Sequence, residues 1–169
     1  MRSQRHDHAY YAKRASGSHT TRAAPARVWA VLETIGGSNR YFYLNGLWTV
    51  REVLDWMAGG PGLKRGRRDP EELRVGDPVD SWSVIGIEPE RRLTLSFGMK
   101  APGSGVLEFE LEPLGYGGTR LSATAYWQPA GVWGLLYWYP LAPFHQLIFD
   151  GMTREICERA EHPERVEHA

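Results

Sequence analysis

One histidine could carry out acid–base chemistry in the apolar part of this sequence. His145 stands between Phe144 and Gln146, in the most aromatic stretch of the chain. Because imidazole titrates near neutral pH, this position makes His145 the first candidate for proton transfer. The alternative is a hydrogen-bonded structural histidine near the start of a helix. No second His, Cys or carboxylate stands at metal-ligand spacing from it, so the sequence predicts neither a metal site nor a cofactor.

Arg51 and Asp55 form a second candidate pair for chemistry. They are four residues apart, so on a helix they would project from the same face. A surface salt bridge is one interpretation of this spacing. If the pair faces a cavity instead, Arg51 could bind a carboxylate or carbonyl group and Asp55 could act as a base.

Three other features look reactive but indicate no chemistry. The basic, glycine-rich loop from Gly59 to Gly66 matches neither the P-loop spacing nor the dinucleotide fingerprint, so a solvated turn is favoured. The acidic row Glu108, Glu110 and Glu112 alternates with apolar residues, which predicts a solvated strand face. Cys157 lies on an amphipathic helical pattern and is predicted to be a packed thiol.

Aromatic residues are frequent and cluster in two regions. Trp, Tyr and Phe make up 12% of the chain and concentrate in residues 41–56 and 126–149. Small residues on the predicted strands, such as Gly86 and Ala125, would leave room among these rings, which predicts an internal cavity for a small apolar molecule. The residues predicted to line it are Trp48, Arg51, Trp82, Phe97, Met99, Phe109, Tyr126, Tyr137, His145 and Phe149.

The pattern of apolar residues predicts the elements that hold these side chains. Alternation with period two predicts antiparallel strands over residues 80–88, 91–100, 105–112 and 121–127. Helical spacing predicts a short helix over 25–35 and a long last helix over 144–160. Residues 47–58 fit a helix, although 48–53 would also fit a strand. The predicted class is α+β, with a curved antiparallel sheet wrapped around a long C-terminal helix.

Length and charge limit the classes of protein further. The 169 residues suit one domain, predicted here as residues 19–162, between a flexible N-terminal arm (1–18) and a tail (163–169). Twenty basic and twenty acidic residues cancel, which disfavours nucleic acid as a partner. A single cysteine forms no internal disulfide, which favours a cytoplasmic location.

Residues 131–149 form an apolar run of about the length that spans a bilayer. Pro140 and Pro143 interrupt the expected helical pattern, and His145 and Gln146 add polarity. The sequence therefore predicts a chain that behaves as a soluble protein, with at most transient membrane contact through this aromatic segment.

Several phrases of the sequence resemble one domain family. They are VW (28–29), LWTVREVLDWMAGGPGLKRGRRDP (47–70), LRVGDPVDSWSVIGIEP (73–89), MKAPGSGVLEF (99–109) and YWYPLAPFHQLIF (137–149). Residues 25–160 resemble an uncharacterised family within the START and polyketide-cyclase-like (SRPBCC, helix-grip) superfamily. The resemblance implies a sheet that grips the last helix around a cavity, and it implies no particular reaction. Members of that family often stand C-terminal to NAD(P)-binding, short-chain-reductase-like domains.

Three functions are compatible with these observations. The first is the binding of a small apolar, lipid-like or aromatic molecule in the cavity. The second is a cyclase or isomerase that uses His145 or Asp55. The third is a docking partner of a separate NAD(P)-dependent reductase, which an exposed aromatic patch would favour.

Overall fold

A six-stranded antiparallel sheet forms where apolar and polar side chains alternate. Its strands are β1 Lys13–Thr21, β2 Pro78–Val79, β3 Trp82–Glu88, β4 Arg92–Phe97, β5 Gly103–Pro113 and β6 Thr119–Pro129. The spatial order is β1-β6-β5-β4-β3-β2, so β2 to β6 form a meander and β1 pairs with the last strand. The computed structural model describes residues 11–36, 42, 43, 46, 49, 53, 56, 57, 68, 69, 72–80, 82–97 and 102–163, without the side chains of 137, 140 and 141.

The sheet and the helix that crosses it confirm the predicted α+β class. The sheet is curved, and a β-bulge between Val84 and Gly86 interrupts the pairing of β3 with β4. A bulge bends its strand and increases the local twist, which helps a sheet to curve around a helix. The described residues of the 47–58 segment, Thr49, Val53, Trp56 and Met57, are helical, in agreement with the helix interpretation.

The first strand corrects the predicted N-terminal arm. Residues 13–18 were assigned to the arm, yet they form most of β1, which pairs with β6 from Lys13↔Trp127 to Thr21↔Thr119. The sequence pattern does not indicate this strand, because its inward positions carry Ala15 and Gly17, which add almost nothing to an apolar alternation. Pairing along the whole of β6 stabilises it instead.

Helix α1 spans Pro25–Leu32. Pro25 occupies the first turn, where its missing N–H costs nothing, and Val28, Trp29 and Leu32 are buried. The helix ends three residues before the predicted boundary at Ile35, and the chain then turns at Gly36, whose φ of 86° favours glycine.

Helix α2 spans Gly131–Glu161 and begins well before the predicted start at Phe144. Pro140 and Pro143 therefore lie inside the helix, although a proline in a helix interior typically costs about 3 kcal/mol. Packing of the first half of α2 offsets this cost, since Gly134 and Trp138 are buried. Within the described ranges, no helix is both long enough and apolar enough to cross a membrane.

Helix α2 runs along β1 and is attached to it at three points, called here the first, second and third anchors. At the first anchor, Lys13 Nζ donates a hydrogen bond to Tyr139 Oη over 3.0 Å. At the second, the Ser18 amide donates to Asp150 Oδ1 over 3.3 Å, beside Gly17. At the third, the Thr21 hydroxyl and the Arg22 amide both donate to Glu161 Oε1, over 2.5 and 2.8 Å.

The anchors follow from the geometry of the two elements. Their helix residues, Tyr139, Asp150 and Glu161, are eleven apart, about three turns, and so lie on one side of α2. Eleven helical residues rise about 16 Å, whereas the matching strand intervals of five and of three to four residues rise about 17 Å and about 10–14 Å, so helix and strand advance at nearly the same rate. This match keeps one side of α2 against β1 from end to end.

The third anchor makes a pH-dependent contribution to stability. The hydrogen bond from Thr21, followed by the one from the Arg22 amide, lowers the pKa of Glu161 below the ordinary glutamate value of 4.5. A lowered carboxyl pKa means that the contribution is complete above pH 4.5 and is lost as the pH falls through the lower folded-state pKa.

We expect Glu161→Gln to melt a few degrees below the wild type at pH 7. At a pH low enough to protonate Glu161 in the folded protein, the two proteins should melt together, as thermal unfolding followed by circular dichroism would show. A gap that persisted in acid would contradict this role.

Candidate functional site

One surface of the sheet, called here the helix-facing surface, carries the side chains that meet α2. Gly17 belongs to it, because a Cβ at Gly17 would clash with the backbone of Phe149 and Asp150. The strand register assigns Ala15 and Ala125 to the same surface, since side chains alternate along each strand. Pairing continues it across the sheet to Gly105, Leu107, Phe109, Leu93, Leu95, Phe97, Trp82 and Val84.

Three aromatic rings form a row across the helix-facing surface. Trp82 contacts Phe97 edge to face, with ring centroids 5.4 Å apart, and Phe97 contacts Trp127 at the same distance and a similar angle. Phe97 and Trp127 meet across β5, where Gly105 is the partner of Trp127. A Cβ at Gly105 would lie 3.0 Å from the indole ring, so the glycine gives Trp127 the room to reach Phe97. The row is a rigid apolar wall at one end of the surface.

Two alanines form the open part of the helix-facing surface. Ala15 and Ala125 are register partners on β1 and β6. Both are only partly buried, whereas the neighbouring Leu107 and Ala123 are completely buried. Because a methyl group is small, the surface around these two positions stays partly accessible, and this accessible region is called here the space above the alanines.

The part of α2 that faces this space contains His145. Ala15 lies on β1 between the first and second anchors, so it faces the helical turns between Tyr139 and Asp150. The imidazole of His145, in those turns, is partly buried and lies 4.4 Å from the ring of Trp138 and 6.1 Å from that of Phe149, measured between centroids. The structure thus places His145 in the middle of a helix, not at its start as the sequence interpretation had it.

The structure brings together four of the aromatic residues predicted to line a cavity. Trp82, Phe97 and Phe109 share the helix-facing surface, and Phe149 meets it from α2. Phe109 is completely buried between Leu93 and Ala123, so it belongs to the core beneath the space.

Tyr126 does not face this space, which corrects its assignment to the cavity. It alternates with Trp127 and lies on the opposite surface of the sheet, with the Arg14 guanidinium 5.9 Å and the Tyr11 ring 6.1 Å from the centre of its ring. Burial, followed by the nearby Glu108 carboxylate, raises the pKa of the Tyr126 phenol. Trp127 takes the position that the sequence interpretation gave to Tyr126.

Five predicted site residues lie outside the described residues. They are Trp48, Arg51, Asp55, Met99 and the side chain of Tyr137. The Gly59 to Gly66 loop also lies outside, but Arg68 just beyond it is described. Its guanidinium makes two hydrogen bonds to Asp77, of 2.8 and 3.1 Å, which raise the pKa of Arg68 and lower that of Asp77. This arginine connects two segments of the chain.

Other titratable groups are structural. Glu108 is buried beside Arg92, 3.8 Å away, which corrects the prediction that the whole acidic row is solvated; Glu110 and Glu112 are exposed. Cys157 is buried as predicted, and burial raises the pKa of its thiol to about 12, so it is no nucleophile. Among the described residues, no group of His, Cys, Asp and Glu side chains is arranged to hold a metal ion.

Two aromatic residues of the site were missed from the sequence. The alternation along β6 already placed Trp127 on the apolar side of its strand, so that signal could have identified it. No sequence pattern indicates that Trp138 lies on a buried helix face, because Pro140 and Pro143 argue against a helix in this segment.

The fold defines an α+β domain in which a curved antiparallel sheet packs against its long last helix. The chain belongs to the family DUF2867, described as proteins of unknown function, which it matches over residues 6–152. The matched range includes all of β1, which agrees with assigning this strand to the folded domain and not to an N-terminal arm. No curated protein matches the sequence.

Solved structures share this fold at low sequence identity. A protein of unknown function from Staphylococcus aureus, SA2116, is similar with a TM-score of 0.52 and 11% identity, over 90% of this chain and 96% of that one. Protein NE0264 from Nitrosomonas europaea is similar with a TM-score of 0.51 and 16% identity, over 89% and 95%. DynU16, from the dynemicin biosynthetic locus, is similar with a TM-score of 0.50 and 16% identity, over 89% of this chain and 48% of that one.

Proposed function

We propose that this protein binds a small apolar molecule between the helix-facing surface and α2, as a member of the START and polyketide-cyclase-like, helix-grip superfamily. The observation that carries the proposal is the accessibility of Ala15 and Ala125, at the β1 edge of the helix-facing surface, although the adjacent Leu107 and Ala123 are completely buried. The family resemblance agrees with a binding protein, and a single cysteine, which can form no internal disulfide, agrees with a cytoplasmic location.

The lining of the space favours a ligand with an apolar or aromatic body. Trp127 follows Ala125 as the next helix-facing residue of β6, Phe97 extends this ring surface towards β4, and His145 is the polar group of the facing turns. Micromolar affinity requires about 8 kcal/mol, which corresponds to roughly 330 Å² of apolar burial at about 25 cal/mol per Å². A fatty acid or a fused-ring polyketide has that much apolar surface. In this proposal the imidazole hydrogen-bonds a polar end of the ligand, which fixes its orientation.

The test fills the space and measures binding. We expect 1-anilinonaphthalene-8-sulfonate and at least one of palmitate, a sterol or an aromatic polyketide to bind the wild type and to quench tryptophan fluorescence. Ala125→Trp should abolish this binding and remain folded, because the added indole occupies the existing space. Ser16→Trp, on the opposite surface of the adjacent strand, is the matched control and should bind like the wild type.

Two results would overturn the proposal. One is unfolding of both Ala125→Trp and the milder Ala125→Leu, which would mean that the space is already filled. The other is an unchanged melting temperature and fluorescence with every molecule of the panel. Modest weakening by His145→Ala is expected for a carrier, whereas a cyclase or isomerase that uses His145 would lose turnover on a substrate that it still binds.

A further inference from the structure

The outer side of α2 carries an exposed apolar stripe, which the proposed cavity does not use. Its side chains are 48% to 75% exposed, although the opposite side of the same helix buries Trp138 and Phe149. They lie on one arc of the helix: Val132, Leu136 and Tyr139 follow at intervals of four and three residues, and Phe144 and Leu147 lie three residues apart further along. The members of the stripe are Val132, Trp133, Leu136, Tyr139, Phe144 and Leu147; Tyr139, which also forms the first anchor, lies at the edge of the stripe next to β1.

We propose that this stripe docks the protein on the surface of an anionic lipid bilayer. Residues 131–149 contain no Asp, Glu, Lys or Arg, so nothing charged would be forced into the lipid. Trp133 and Tyr139 have the ring types that concentrate at membrane interfaces. A helix of this kind lies in the interface plane with its apolar side in the boundary between headgroups and acyl chains.

Positive charge at the edge of the stripe favours a lipid surface over a protein partner. Lys13 bonds to Tyr139 and lies 4.9 Å from its ring centre, so its ammonium group borders the stripe. Basic side chains beside an interfacial helix attract anionic headgroups.

The experiment is co-sedimentation of the full-length protein with vesicles. We expect the wild type to pellet with vesicles of phosphatidylcholine and phosphatidylglycerol, and less with phosphatidylcholine alone or at high salt. The double variant Trp133→Ser, Leu136→Ser should bind the anionic vesicles on the order of 50-fold more weakly. Lys13→Gln should lose about five-fold on anionic vesicles and almost nothing on neutral ones. Melting temperatures confirm that each variant is folded.

The matched control is Tyr116→Ser. Tyr116 is an aromatic residue with 69% exposure in the β5–β6 turn, at the other end of the hairpin from the start of α2. Its loss should leave vesicle binding unchanged. Ala125→Trp separates docking from ligand uptake: it blocks the proposed cavity and should still pellet, so failure of the cavity proposal leaves this one intact.

The outcomes that overturn the proposal are specific. They are a wild type that pellets with neither vesicle, a double variant that pellets like the wild type, or an Ala125→Trp variant that no longer pellets. If vesicle binding is absent and sedimentation velocity shows a dimer that the double substitution dissociates, the stripe is an interface between two copies. A complex with a short-chain-reductase-like domain, dissociated by the same substitution, would assign it to that protein instead.

Discussion

Replacing Gly17 with alanine is expected to destabilise the protein by about 3 kcal/mol, which corresponds to a melting temperature roughly 10 °C lower. The added methyl group would clash with the Asp150 amide nitrogen and the Phe149 carbonyl carbon. These are backbone atoms of a helix, so they cannot rotate away as a side chain could. The helix must move off β1, which weakens the second anchor.

Gly115→Ala provides the control for this substitution. No atom lies within 4 Å of a Cβ at Gly115, and its backbone is not in the left-handed region. The melting temperature should therefore stay the same or rise slightly, because alanine restricts the unfolded chain more than glycine does. Equal effects at Gly17 and Gly115 would mean that the close approach of α2 to β1 does not matter for stability.

Phe109→Ala is expected to cost about 3–5 kcal/mol, a large part of the roughly 5–15 kcal/mol that stabilises a typical domain. The ring is completely buried, with Leu93 and Ala123 as its partners on the neighbouring strands. Its removal leaves a cavity that those rigid strands cannot close. Urea unfolding followed by circular dichroism measures the loss.

Tyr116→Ala removes a ring of similar size from an exposed turn and should cost less than about 1 kcal/mol. If Phe109→Ala proved as mild as Tyr116→Ala, the ring would face open space rather than core. Phe109 would then return to the set of ligand contacts.

Large alternating side chains made most of the sheet predictable. Leu107 and Phe109 on β5, and Leu93 and Leu95 on β4, identify the helix-facing surface without any structure, because each strand has a period of two. The same rule already placed Trp127 inside and Tyr126 outside. An aromatic ring does not by itself determine which surface of a strand a residue faces, so Tyr126 lies outside although it is aromatic.

Tertiary contacts determine what the sequence could not show. β1 has small or polar inward residues, so only its pairing with β6 makes it a strand. The first half of α2 contains two prolines, so only burial of residues such as Trp138 keeps it helical. Glu108 looks solvated in an acidic row, yet the neighbouring strands surround it. In each case the deciding neighbour is distant in sequence, and local patterns carry no information about it.

The three anchors also constrain the order in which the chain can fold. The hydrogen bond between Thr21 and Glu161 joins residues 140 positions apart, so the third anchor forms only after Glu161 has been synthesised, and β1 can pair only after β6 has been synthesised. The hairpins from β3 to β6 join near neighbours and can form much earlier. Until β1 pairs with it, β6 has an unpaired edge that another strand could occupy. During synthesis, this edge is therefore where two nascent copies would exchange β1 strands or aggregate.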